Sequence, residues 1–138
     1  MKSKPTLTLN DARAAAAAAE AEAVQNAWAV TIAITDDGGH LLWLQRLDGA
    51  APISAEIAVA KARTAALGRR ESKGYEDMIN QGRTAFLSVG ALQGMLEGGV
   101  PIMAAGQCVG AVGVSGVKSA EDAQIARAGV AAVAAAGG

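Results

Sequence analysis

Cysteine, histidine and aromatic residues are nearly missing from this chain. Of 138 residues, one is Cys (Cys108) and one is His (His40), and two Trp, one Tyr and one Phe bring the aromatics to only 3%. A lone cysteine excludes a disulfide within one chain and fits a reducing compartment. A lone histidine excludes a multi-histidine metal site within one chain, and no metal site is expected. The aromatic deficit leaves the core to small side chains, so elements should approach each other closely. A dominant charge is missing too. The formal net charge of −1 gives no support for nucleic acid or an anionic membrane as partner. No apolar run approaches the ~18 residues that span a membrane. The opening MKSKPTLTLND lacks the apolar stretch of a secretory signal. A soluble cytoplasmic protein is the expectation.

What is present is apolar and rich in alanine. Apolar residues make up 51% of the chain, which argues against disorder. The length suits one domain, residues 1–138, with a real core. Thr8 and Asp11 resemble a capping box opening a helix over about 9–26. Residues 29–36 and 40–47 read as two strands joined by Asp37-Gly38-Gly39. Ser54 is the expected N-cap of a helix over 55–67, and Gly68 its stop. Shorter helical pieces are expected over 75–81 and 84–96. Residues 101–105 and 108–115 read as strands around a Gly106-Gln107 turn of type II′. Ser119 and Asp122 suggest another capping box and a C-terminal helix to about residue 136. Adjacent hairpins imply an α+β fold with a mainly antiparallel sheet and helices packed on it.

Glycine sits where a packed strand would carry side chains. Gly110, Gly113 and Gly116 interrupt a valine-rich run at a spacing of three. Such glycines mark a bulge, or close approach of a ligand or another backbone. Packing of the C-terminal helix against the strand is the plainer explanation. The run does not match GxGxxG, and Gly116-Val117-Lys118-Ser119 lacks the upstream spacing of a phosphate-binding loop, so nucleotide binding is disfavoured.

Polar candidates cluster in the middle of the chain. Lys61 and Thr64 share a helical stripe with Ile57 and Gly68. A lysine there is either partly buried on an anion or extended from an amphipathic surface. Arg69, Arg70 and Arg83 could grip carboxylates or phosphates in bidentate fashion; the first two could instead serve the helix C-terminus. Glu71 and Tyr75 could act as acid or base beside them, or be solvated or paired with the arginines. His40 could ligate haem iron, though its hairpin position favours a surface role. Cys108 reads as an inert small hydrophobe.

Six segments together resemble the HbpS-like family: TDDGGHLL, RLDGA, SAEIAVAKARTAA, EGGVPI, GAVGVSG and SAEDAQIARAG. The family includes GlcG proteins of the glycolate operon and the C-terminal domain of PduO-type corrinoid adenosyltransferases. The resemblance runs from Thr35 to Gly129. It implies a profilin-like domain of four or five antiparallel strands flanked by helices, assembled into homo-oligomers. It also implies a ligand site near Asp48, Gly49, Lys61, Thr64, Gly98 and Gly99. The connector over 67–86 is not a general family motif and reads as a subgroup feature.

Two functions are expected in competition. One is an enzyme on a small anionic, carboxylated metabolite, such as an unsaturated acid, with no cofactor. Its chemistry would be tautomerisation, hydrolysis or dehalogenation. Asp48, Lys61, Glu71 and Tyr75 would be its catalytic groups, and Gly49, Thr64, Arg70, Arg83, Gly98 and Gly99 its binding groups. The alternative is a non-enzymatic haem- or corrinoid-binding sensor or accessory protein, which the resemblance supports and the scarcity of aromatics weakens.

Overall fold

The computed structural model describes residues 1–137. The elements run α1 (Leu9–Gln25), β1 (Thr31–Asp36), β2 (Leu41–Arg46), α2 (Ile53–Gly68), α3 (Lys73–Asn80), a 3-10 turn (Thr84–Ser88), β3 (Gly99–Ala104), β4 (Gln107–Ser115) and α4 (Ser119–Gly137). The four strands form one antiparallel sheet in the order β2-β1-β4-β3. Helices α1 and α4 cover one face and α2 the other, giving an α+β sandwich of three layers.

The two faces of the sheet differ in chemistry. Ile32, Ile34, Ile102, Val112 and Val114 point toward α1 and α4, where Ala12, Ala15, Ala16, Ala19 and Ala23 form a buried stripe. Alternation along the strands puts Thr31, Ala33, Thr35, Ala111 and Gly113 on the α2 side. Fully burying an isoleucine stabilises by roughly 1.5–3 kcal/mol, so the hydrophobic load lies on the α1/α4 face. The α2 face is built for close approach instead. A Cβ on Gly113 would overlap the backbone of Ala58 and Ala62. It is therefore α2, and not the C-terminal helix, that demands this glycine. The contact with α4 falls to Gly129, whose Cβ would stand 2.9 Å from Ala15 O.

Local signals hold in some places and shift in others. Thr8 and Asp11 form the expected capping box, with Asp11 N donating to Thr8 Oγ1 at 3.1 Å and Thr8 N to Asp11 Oδ2 at 2.8 Å. Ser54 is not a cap. Helix α2 begins at Ile53, and the Ser54 hydroxyl lies buried 2.7 Å from Thr31 Oγ1, tying α2 to β1. The β3–β4 turn is centred on Ala105 and Gly106, both at positive φ (51° and 73°), which makes it type I′ and not II′. Residues 89–96 are not helical. The expected box at Ser119 is displaced: Glu121 Oε1 accepts from Lys118 N and Asp122 Oδ1 from Val117 N.

Candidate functional site

Lys61 lies in the middle of α2 and is only 3% exposed. The ammonium Nζ donates to Val114 O on β4 and to Asp122 Oδ2 on α4, each at 3.0 Å. Of the two sequence readings of Lys61 the buried one holds, and its anion is supplied from within, 61 residues along the chain. Asp122 spends its other oxygen on Val117 N. Burial pushes the Asp122 carboxyl above its ordinary range, against the opposing pull of Lys61. Gly98 makes the space. Its φ is +134°, and a Cβ there would lie 2.8 Å from Lys61 Nζ.

The chain around Gly98 is clamped to α2 and to the start of α3 by small polar groups. Gly94 N donates to Thr64 Oγ1 at 3.1 Å. Gly99 N donates to Ser72 Oγ at 2.8 Å, and Ser72 N donates to Gly99 O at 3.0 Å. A Cβ on Gly94 would run into the backbone of Ala60 and Lys61, and one on Gly99 into the Lys61 carbonyl. Lys61, Thr64, Gly98 and Gly99 therefore converge, as a latch joining α2, β3, β4 and α4.

The remaining candidates lie elsewhere. Asp48 and Gly49 sit on an exposed turn beside Trp28, Ala29 and Leu47. Tyr75 is buried with its ring against Arg70, 4.6 Å from the centroid, and against a tilted Phe86 ring 5.4 Å away. Arg83 closes that stack over Phe86 at 5.5 Å. Cation–π contacts hold both arginines. Glu71 accepts from Arg127 Nη2 at 2.7 Å, pinning α4 to the start of α3. The ten expected site residues thus divide among a latch, an aromatic stack with its neighbouring ion pair, and a distant turn.

A second concave region was not foreseen. Lys2, Lys4 and Arg69 line a cleft of about 380 Å³ with Met103, Gly106, Gln107 and Cys108. Arg69 caps α2 in the left-handed region, φ 56° and ψ 37°, a conformation that costs a non-glycine residue of order 1 kcal/mol or more. Lys4 is paired with Asp37 at 2.8 Å and holds that carboxyl below its usual range. Lys2 and Arg69 make no ion pair among the described residues. Burial pushes the Cys108 thiol up, so it stays protonated at neutral pH. Met103 also lines a second, mostly apolar cleft of about 290 Å³ walled by Pro5, Leu7, Ala104, Val109 and Val133, with Thr6 and Asp11 at its polar part. Lys2 and Lys4 meet Arg69 only through the fold. Asp122 and Ser72 were equally hidden, since a capping aspartate and a connector serine look the same wherever they point. Among the described residues, no helix is long and apolar enough to cross a membrane.

Comparison with known proteins agrees with this architecture. The family model described as "Haem degrading protein HbpS-like" matches residues 7–131. Protein GlcG of Escherichia coli (strain K12) is 57% identical over 112 residues, covering 81% of this chain and 83% of that protein. The crystal structure of HbpS superposes with a TM-score of 0.85 at 36% identity, covering 95% of this chain and 92% of that one. The crystal structure of a PduOC–haem complex superposes with a TM-score of 0.84 at 27% identity, covering 93% and 95%.

Proposed function

Because the chain belongs to the HbpS-like family, we propose that it binds haem, as a homo-oligomer, in the cationic cleft and its apolar neighbour. The convergence of Lys2, Lys4 and Arg69 beside Met103 carries this reading. Haem presents two carboxylates on one edge of a flat apolar body. Lysine and arginine suit the carboxylates, and the walls around Leu7, Val109 and Val133 suit the body. Met103, which lines both clefts, supplies a thioether of the kind that ligates haem iron. His40 stands on the hairpin whose Asp37 pairs with Lys4 and is the alternative iron donor. Cys108 is a poor ligand while its thiol is protonated. Lys2, Lys4 and Arg69 would hold the propionates, and Met103 or His40 the iron. The bound group would supply redox and oxygen-binding chemistry. The PduOC–haem complex in the same fold, and the description of the family as haem degrading, support the reading.

An enzyme acting on a small carboxylate has less support. Lys61, Thr64, Glu71 and Tyr75 are occupied by contacts inside the protein, and Asp48 is not among them. A free small carboxylate could still use the same cations, and the test separates the two. Haem titrated into the full chain should give a shifted Soret band that saturates at stoichiometric ratio. Arg69→Glu with Lys2→Glu should weaken binding about 10-fold or more, the loss expected for a charged hydrogen bond. Met103→Ala or His40→Ala should change the spectrum, whichever residue is the iron donor. Absence of a Soret shift, or indifference to both charge reversals, overturns the proposal. Calorimetric binding of succinate with no response to haem would point to the small carboxylate instead.

A further inference from the structure

The N-terminal segment belongs to both clefts. Lys2 and Lys4 wall the cationic one, and Pro5, Thr6 and Leu7 wall the apolar one. A ligand that occupies both at once must displace this segment. The segment is lightly held. Residues 1–7 form no helix or strand, and among the described residues their backbone makes no hydrogen bond to other backbone. Two polar contacts tie residues 1–6 down. Lys4 Nζ meets Asp37 Oδ2 at 2.8 Å, with side chains 34% and 52% exposed, and Gln107 Nε2 donates to Ser3 O at 3.1 Å. Exposed contacts of this kind are weak, and segments with few buried contacts open locally at small cost.

Leu7 is the contrast. It is buried against Gly110, where a Cβ would lie 2.9 Å from Leu7 Cδ2, and Thr8 beside it caps α1. The chain is fixed from Leu7 onward and only pinned before it. The pin is Asp37. Lys4 and, more weakly, Arg69 hold its carboxyl below the usual range. Asp37 thus stands toward these cations as a ligand carboxylate would.

We propose, resting on the haem reading, that residues 1–6 are a strap that swings about Leu7 to join the two clefts and closes over the ligand as Lys4 passes from Asp37 to a ligand carboxylate. Asp37 is half exposed, so water takes over its charge when Lys4 leaves. Arg69 stays in place, because its backbone N–H is bound at the end of α2 to Ala65 O and Ala66 O. One cation of the site is therefore permanent and two are delivered. One ion pair is broken and one is made, so a carboxylated ligand enters at little cost. A ligand without a carboxylate leaves the strap pinned.

Cys108 reads the strap without haem. It is the one cysteine of the chain, 4% exposed, and it lines the cleft with Lys2 and Lys4. The uncharged reagent N-ethylmaleimide should label it slowly in the folded full chain at pH 8. Lys4→Met and Asp37→Asn each unpin the strap and should speed labelling about 2- to 5-fold, the worth of an exposed ion pair. Charge alone predicts otherwise. Burial dominates the Cys108 thiol, but Lys4 eases its ionisation and Asp37 opposes it, so loss of Lys4 by itself would slow the reaction. Asp77→Asn, which breaks a similarly exposed pair with Lys73, should leave labelling unchanged. With haem, Asp37→Asn should tighten binding about 2- to 5-fold, and much less when Lys4→Met is also present. Labelling that is equal in wild type, Lys4→Met and Asp37→Asn, or slower in Lys4→Met, overturns the strap whether or not haem binds. Faster labelling in both variants without a Soret shift upholds the strap and removes haem as its ligand. An equal gain from Asp37→Asn with and without Lys4 overturns the transfer of Lys4.

Discussion

Replacing Lys61 by Met should cost the fold about 3–5 kcal/mol at pH 7, the usual price of removing one member of a buried ion pair. Nζ and Oδ2 are 3.0 Å apart with both side chains almost fully buried. At an effective dielectric of ~20 their attraction is about 5–6 kcal/mol. Taking both ions from water costs several kcal/mol each, so the pair contributes little net stability over an apolar pair. The single variant loses the attraction and keeps the cost of burying Asp122. For a domain between the 100- and 150-residue classes, that loss lowers Tm by roughly 10–20 °C. The deficit should also depend on pH. Burial already raises the Asp122 carboxyl, and Lys61 is the main group lowering it. Without Lys61 the folded carboxyl rises further above its unfolded value. A carboxyl with a raised folded pKa favours the fold below its unfolded pKa and loses that contribution as pH rises through the folded one. Lys61→Met should therefore come closer to wild type at pH 5 than at pH 7. Asp122→Asn should also destabilise, and the double variant should fall short of the summed losses by about 2–3 kcal/mol. Urea melts of the four proteins at both pH values give all these quantities. A Lys61→Met loss below ~1 kcal/mol that is flat with pH, together with additive losses in the double variant, would refute the reasoning.

Two further outcomes follow from the α2 face of the sheet. Gly113→Ala should destabilise by about 1–3 kcal/mol, because its Cβ meets α2 backbone that cannot move aside; a thermal melt within 1 °C of wild type would contradict that contact. Thr35 Oγ1 is buried without a hydrogen-bond partner, so Thr35→Val should stabilise by about 1 kcal/mol in a urea melt, and any loss of stability would mean that the hydroxyl has a partner.

Much of the framework is legible in the sequence because its signals are local. The Thr8 box, the Asp37-Gly38-Gly39 hairpin and the alanine stripe of α1 are decided within a few residues. The stretch 89–96 is different. Its composition permits helix, but Gly94 must come close enough to Ala60 for its N–H to reach Thr64, and that demand holds residues 94–98 in irregular backbone. Ser54 looks like a cap because serine before an apolar run usually is one; here the hydroxyl is claimed by Thr31 from another element. Lys61 stands out as a polar residue on a helical stripe, and its burial could be foreseen. That Asp122 completes it could not, because Asp122 serves the start of its own helix equally well. The cationic cleft depends on the N-terminal segment crossing to the end of α2, and no spacing in the chain encodes that crossing.

The glycine contacts have a mechanical consequence. Helix α2 is gripped by bare backbone at Gly113 on one side and at Gly94 and Gly99 on another, and it is bolted at mid-length by the Lys61 ammonium. A shaft held this way can neither turn about its axis nor slide by a fraction of a turn, since either motion drives peptide into peptide. Any signal that ligand or assembly sends through this molecule must pass around α2, with the helix as the fixed post against which other parts move.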